Sequence, residues 1–374
     1  MMTPDLVVVG GGPIGLATAI AVRQRGLEVL VVDKARPPID KPCGEGVMPE
    51  GLAALRQLGV EVDGRDGLPF SGICFTEGGL SAEGRFPGAA GHGLGIRRRL
   101  LHQMLVDRAD EIGVASRWNE PVTGMSGAGV QIAGKNVPCR WVVGADGRGS
   151  RVRRWANFRL PRPMAHRRTG LRQHFRVRPW SDLVEVHWHN LGQAVVTPVT
   201  PDEVCVSIFT SDHSRPMAQL MGLFPELGRR LRDACATSSV RGALSGSIEM
   251  GAVVRDRVAL IGDAAGAIDA LTGEGLSLGF RQAVALGEAL ERDDLARYQV
   301  AHRRIRRMPM RMASLMLCVG ARAGMRRRVL QAFNSQSQAF GLMLGVHTAT
   351  LPPSVLRPGL IAGLIRGLVA APHA

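Results

Sequence analysis

The sequence predicts an α/β fold: a Rossmann-type dinucleotide-binding domain on a parallel sheet, an inserted antiparallel-sheet domain, and a helical C-terminal region. Three observations predict it. Residues 6–33 run strand, glycine-rich turn, helix, strand and acid; residues 169–210 break into short alternating runs between turn signals; and the chain beyond residue 298 is helical in pattern and rich in arginine and methionine.

Leu6 to Val9 is an apolar run that ends in Gly10-Gly11-Gly12-Pro13-Ile14-Gly15. Leu16 to Arg25 follows with helical periodicity, Gly26 stops it, and Val29 to Val32 gives a second buried strand ending at Asp33 and Lys34. Framed this way, the G-x-G-x-x-G has a mechanical meaning. Gly10 permits the tight turn, Gly12 lets the backbone approach a pyrophosphate, and Gly15 lets the helix pack close to the strand. The helix N-terminus offers its amides and dipole to the phosphates, and Asp33 stands where a carboxylate holds ribose hydroxyls. Next comes Asp40 to Gly51, DKPCGEGVMPEG, in which Cys43 is a nucleophile, a redox partner, a metal ligand or only a small residue in a tight turn.

Gly95 to Glu111 reads as a helix opened by Arg97, Arg98 and Arg99, with Leu100, Leu101, Met104, Leu105 and Ala109 at its apolar positions. Trp141 to Val143 is a short buried strand running into Gly144-Ala145-Asp146-Gly147. Leu171 to Val177, Leu183 to His189, Gln193 to Val199 and Val204 to Thr210 are the runs of the antiparallel sheet. Glu185, His187 and His189 share one face of it by period 2, which suits either an acid/base or metal site lining a pocket or a solvated sheet face. Val258 to Ile261 returns as a parallel strand ending in Gly262-Asp263, and Gly275 to Leu290 is a helix. The division expected is 1–70, 93–158 and 250–297 for the dinucleotide fold, 71–92 and 159–249 for the substrate-side sheet, and 298–374 for the helical region.

Composition excludes several classes. The chain has 374 residues, 45% hydrophobic, and a formal net charge of +15. Of its 47 basic residues only Lys34, Lys41 and Lys135 are lysine, an imbalance that a GC-rich codon supply produces unaided, and stacking aromatics are scarce; nucleic acid is not the expected partner. The six cysteines form no C-x-x-C pair and have no histidine at zinc spacing, so no metal and no disulfide framework is expected, as in a reducing compartment. Met1 to Asp5 has no basic n-region, Val329 to Leu356 is too polar for a span, and the last apolar stretch is cut by Pro358 and Arg366. A cytoplasmic protein is expected. Arg303 to Arg311 and Arg322 to Arg328, interleaved with Met, Leu and Val, are either a solvated helix face or a peripheral membrane contact.

Four pieces line up in order: the N-terminal dinucleotide fold, Arg97 at a helix start, GADGRGSRVR at Gly144 to Arg153, and ALIGDAAGAIDALTGEGLSLGF at Ala259 to Phe280. Together they resemble the FAD-dependent oxidoreductases that include the aromatic-ring monooxygenases and the geranylgeranyl reductases, over Leu6 to about Leu290. The resemblance implies non-covalent FAD. In it Gly10, Gly12, Pro13 and Gly15 hold the pyrophosphate, Asp33 with Lys34 the adenosine ribose, and Arg97 supplies a cation near the pyrophosphate or ribityl chain, Arg98 being its competitor. Gly262 and Asp263 face a ribityl hydroxyl, while Gly273, Glu274, Gly275 and Leu276 open a helix toward the flavin pyrimidine edge. Asp146 is either a cofactor contact or a turn residue. Pro42-Cys43-Gly44-Glu45-Gly46 is similar to the Pro-Cys-Gly segment of the geranylgeranyl reductase branch, where it lies against the flavin, so that Cys43 faces the ring or the substrate cavity.

Two activities follow from the resemblance. The first expectation is NAD(P)H-dependent hydroxylation of an apolar aromatic or polyketide-like substrate through a flavin C4a-hydroperoxide; the alternative is saturation of a double bond in a prenyl or other lipid, with Cys43 as proton donor. NAD(P)H has to dock transiently, since the sequence holds no second G-x-G-x-x-G with its strand and helix. Asp269-Ala270-Leu271-Thr272 stands where the monooxygenases carry a proline. A non-catalytic flavin-bound module is the third possibility; substrate identity and oligomeric state stay open.

Overall fold

Four consecutive buried apolar side chains, Leu6 to Val9, mark a strand covered on both faces. In the computed structural model, which describes residues 3–88, 91–159, 167–360, 362, 363 and 366, that strand lies inside a six-stranded sheet. The principal elements of the first half are β1 (Leu6–Val9), α1 (Pro13–Arg23), β2 (Val29–Asp33), α2 (Pro49–Gln57), β3 (Gly72–Glu77), β4 (Leu80–Arg85), α3 (Arg98–Glu111), β5 (Ala115–Trp118) and β6 (Trp141–Gly144). They are followed by β7 (Arg168–Arg176), β8 (Val184–His189), β9 (Gly192–Thr200), β10 (Glu203–Thr210), β11 (Val258–Leu260), α4 (Gly275–Glu291), α5 (Leu295–Gly320), α6 (Ala323–Ser335) and α7 (Ser337–His347).

The first sheet runs β11, β6, β1, β2, β5, all parallel, with Val254–Arg255 added antiparallel at one edge. Leu6 is level with Trp141 on one side and Val29 on the other. The carboxyl ends of β11, β6 and β1 therefore open side by side, which is where open α/β sheets bind ligands. Helices α1 and α4 pack together over this sheet, and α2 packs on α4.

The second sheet has eight strands. Its core is β7, β10, β9, β8, antiparallel as the alternation predicts, and β3 and β4 extend it beyond β8. The join between β8 and β3 is parallel, Val184 opposite Ile73, so this sheet is mixed and not purely antiparallel. α6 and α7 cover β4.

Two expectations need correction. The helix expected from Gly95 begins at Arg98, because Gly93–Gly95 is itself a strand paired with Gly46–Val47 and Leu68–Phe70. Gly95 cannot carry a side chain there: a Cβ would stand 1.7 Å from the Pro198 carbonyl oxygen. The other is the region 122–138, which folds as a three-stranded antiparallel sheet with no counterpart in the sequence reading. Parts of the expected divisions, residues 89–90, 160–166 and most of 361–374, lie outside the described residues.

Candidate functional site

The loops after β1, β6 and β11 enclose a cavity of about 280 Å3, closed below by Cys43–Gly46 and Ala270–Leu276 and walled opposite by Val184 and Val186 of β8. Its glycines divide into two kinds. Gly10, at φ +111, and Gly15 serve the chain: a Cβ on Gly10 would meet the Ala145 carbonyl oxygen at 2.5 Å, and one on Gly15 would meet Gly10 O at 1.8 Å. Gly12 and Gly275 serve the space, since a Cβ on either would meet nothing within 4 Å and would project into the opening. Behind Gly12, α1 starts with Pro13, no acidic residue in its first turn and no side-chain cap, so its first amides are left for an anion. An extended dinucleotide with its pyrophosphate at Gly12 and its ring near Gly273–Gly275 fits this cradle.

The structure brings Pro13, Cys43, Gly44, Glu45, Gly46, Gly262, Asp263, Gly273, Gly275 and Leu276 onto the cavity. Others need correction. Arg97 points away, its Nη1 2.9 Å from Glu203 Oε2, and Arg98 is the arginine that lines the cavity. The reason is the later helix start, which makes Arg97 the residue flanking α3 and turns Arg98 inward. Asp146 is a helix cap: its Oδ2 accepts from the amides of Arg151 (2.6 Å) and Val152 (3.2 Å), and its neighbours Ala145 and Gly147 line the cavity in its place. Lys34 is exposed and off the cavity. Asp33 accepts from Gly11 N at 2.7 Å and from Ala35 N at 2.8 Å, stiffening the turn beside the cradle. Glu185 and His187 lie 2.9 Å apart, with Trp180 Nε1 donating to Glu185 at 2.8 Å, on the face of β8 opposite Val184 and Val186. They line neither of the two large cavities and form no solvated face; both are buried, with His187 near Phe224.

In the Pro42–Gly46 loop, Cys43 lines the cavity and its sulfur accepts the Glu45 amide hydrogen at 3.3 Å. Glu45 has φ +60, a left-handed conformation that a non-glycine residue holds only when its surroundings require it. They do. Its buried carboxylate accepts from His174 Nε2 at 2.6 Å and from Arg98 N at 3.1 Å, so it locks the thiol loop to the sheet and to the start of α3. Arg172 Nη1, 3.0 Å from His174 Nδ1, fixes the tautomer by donating there. The Cys205 thiol donates to Cys43 O at 3.7 Å, and burial pushes it well above its usual range. Glu45, His174 and Cys205 bring their ligand atoms within 4.8 Å of one another, but Glu45 and His174 are hydrogen-bonded to each other beside the Arg172 guanidinium and the Cys205 thiol donates to Cys43 O.

A second cavity of about 230 Å3 opens behind the first. Ile73, Val186, Leu271 and Thr272 line both. Its outer wall is α5, α6 and α7, through residues such as Met312, Met316, Met325, Phe333 and Met343, and among the described residues its one titratable lining residue is His347. The methionines were visible as a composition bias; that they wall a chamber depends on β3 meeting β8, which no local pattern announces.

A family model described as FAD binding domain matches residues 3–292. The chain is 28% identical over 319 residues to menaquinone reductase of Mycobacterium tuberculosis, covering 78% of each. It is 28% identical over 327 residues to digeranylgeranylglycerophospholipid reductase 1 of Methanopyrus kandleri, covering 79% of this chain and 84% of that protein. Among solved structures, p-nitrophenol 4-monooxygenase of Pseudomonas putida superposes with a TM-score of 0.81 at 20% identity, covering 93% of this chain and 97% of that one.

Proposed function

The chain belongs to the FAD binding domain family and is an FAD-dependent oxidoreductase, and we propose that it saturates a double bond of a prenyl lipid lying across the two joined cavities. The observation that carries this reading is the second cavity. Its walls are mostly methionine, leucine, valine and phenylalanine, and it adjoins the first cavity at Ile73, Val186, Leu271 and Thr272, which line both. Unbranched, polarizable methionine side chains adapt to a flexible apolar chain. Two relatives whose names denote reductases of a quinone and of a geranylgeranyl lipid support it.

Reduced FAD, when bound, supplies a hydride. The chain's own residues do the rest. Gly12 and the open amides of α1 take the pyrophosphate, Asp33 the ribose, Arg98 the pyrophosphate or ribityl charge, Asp263 a ribityl hydroxyl, and the start of α4 the pyrimidine edge. Apolar β8 and α5–α7 exclude water from the lipid. Cys43, held by the Glu45 lock, gives a proton from Sγ to the carbon next to the one reduced. NAD(P)H is the electron donor and reaches the flavin transiently, and the lipid comes from a membrane against which the basic C-terminal helices rest.

Anaerobic incubation of chemically reduced holoenzyme with a prenyl quinone or geranylgeranyl lipid tests the reading. A product heavier by a pair of hydrogens is expected, formed roughly 10²-fold more slowly by Cys43→Ala. Product that needs oxygen and gains an oxygen atom would instead establish hydroxylation, the activity placed first on sequence grounds.

A further inference from the structure

Glu274 separates Gly273 and Gly275, which line the first cavity, but its own carboxyl is buried behind them, with neither oxygen hydrogen-bonded. Glu50 of α2 is close by in the same state. Helix contact makes this pair: a Cβ on Gly51 would meet Ser277 Oγ at 2.4 Å, and Met48 N donates to that hydroxyl at 3.1 Å. From α7, His347 brings Nε2 to 3.4 Å from Glu274 Oε2, and the same imidazole lines the apolar cavity with Nδ1 unpartnered. Arg281 of α4 and the Thr272 hydroxyl also act on Glu274; that hydroxyl donates to Asp269 O at 3.2 Å.

Two carboxyls buried side by side resist ionising together. Burial, then the neighbouring Glu50, pushes Glu274 well above the usual carboxyl range; burial pushes Glu50 up to about 7 and holds His347 down to about 4. The contact is thus a neutral acid against a neutral imidazole. It can pass a proton without burying separated charges at rest.

We propose that Glu274, backed by Glu50, is the proton reservoir of the buried chamber and that His347 is its outlet. This rests on the double-bond reduction argued above, which consumes one proton for each hydride delivered. Once product leaves and water enters, the proton leaves the Glu274 carboxyl for His347 Nε2 while the Nδ1 proton passes through that water to the Cys43 thiolate left by the reduction, which lines the first cavity. Glu50 then returns a proton to Glu274, and no electrons move in the relay. Glu274 and Glu50 act through His347, so they are positioning groups for the proton and do not touch the substrate.

Infrared spectra of the cofactor-free protein at about pH 9, above the range of about 7 in which Glu50 ionises, test the reservoir. The carbonyl stretch of a protonated acid is expected, shifted in D2O, lost in Glu274→Gln and kept in His347→Gln. Anaerobic steady-state reduction by the holoenzyme is expected to fall about 10-fold or more in Glu274→Gln and to flatten in its pH profile. Should that variant not fold, Glu50→Gln is read for the same two changes. A wild type that reduces the lipid without the band overturns the reservoir alone, as does a band that survives Glu274→Gln, or one that is lost with turnover unchanged. A wild type that shows the band but reduces no prenyl lipid overturns the function proposed above, and the relay's purpose with it.

Discussion

A Cβ on Gly12 would reach nothing, while a Cβ on Gly15 would stand 1.8 Å from a carbonyl oxygen, and these two glycines of one motif should therefore fail differently. Gly12→Val is expected to leave the melting temperature of the cofactor-free protein near wild type and to abolish FAD retention, because the added methyls occupy the place of the pyrophosphate. Gly15→Val is expected to yield no folded protein, since α1 must lift off β1. Absorbance and a thermal melt on both variants separate the cases. Glu50 makes a second residue-scale prediction. Its folded pKa of about 7 exceeds the ordinary 4.5, so the folded state binds this proton more tightly than the unfolded chain. The stability it contributes is fully present below about pH 4.5 and is lost as pH rises through about 7, an amount of about 3 kcal/mol. Urea midpoints measured across that window should fall in wild type and flatten in Glu50→Gln. The glycine cradle was legible in sequence because each glycine answers a backbone demand. Arg98 over Arg97 was not, because the choice turns on a helix start that Gly93–Gly95, drawn into a strand, moves by three residues.

At the scale of elements, the two cavities lie against each other only because β8 and β3 run parallel and show Val184, Val186, Ile73 and Phe75 to the same side, and the joined chamber proposed above depends on that pairing. Phe75 stacks on Trp188 at 4.8 Å and on Phe340 at 5.7 Å, and Phe340 on Phe333 at 4.3 Å, so sheet and helices meet through an aromatic ladder. The fit is close: a Cβ on Gly84 would stand 2.8 Å from the Phe340 ring. Val186 is at the neck. Val186→Trp is expected to retain FAD and to process short prenyl substrates, while long-chain ones slow by about 10-fold or more as the second cavity is cut off. A chain-length series on wild type and variant measures it, and equal slowing at every length would count against the joined chamber. The four antiparallel runs could be read from their alternation. The parallel join could not, since residues 72–77 and 184–189 are far apart in sequence and nothing in either run names its partner.

For the molecule as a whole, charge is distributed unevenly. No Asp or Glu follows Asp294, and the stretch beyond it holds 12 arginines. Arg303, Arg304, Arg307, Arg311, Arg322 and Arg327 are exposed, and Leu315, half exposed, lines the apolar cavity between Arg311 and Arg322 in sequence. Among the described residues no helix is long and apolar enough to cross a membrane, so any membrane contact through this face is peripheral. Exposed arginines on the helices that wall an apolar cavity suit an anionic bilayer: each basic residue near such a surface contributes about 1 kcal/mol, and the attraction is screened by salt. The protein is expected to sediment with vesicles containing acidic lipid, to leave zwitterionic ones in the supernatant, and to be released by salt. Arg307→Glu with Arg311→Glu should weaken binding by about 10-fold or more while FAD stays bound. The decisive comparison is kinetic. If the cavity takes its substrate from the bilayer, salt and the double variant must slow turnover of vesicle-embedded lipid and leave turnover of the same lipid in detergent micelles nearly unchanged; equal slowing in both would mean that the arginines act on the chamber and not on the surface it faces.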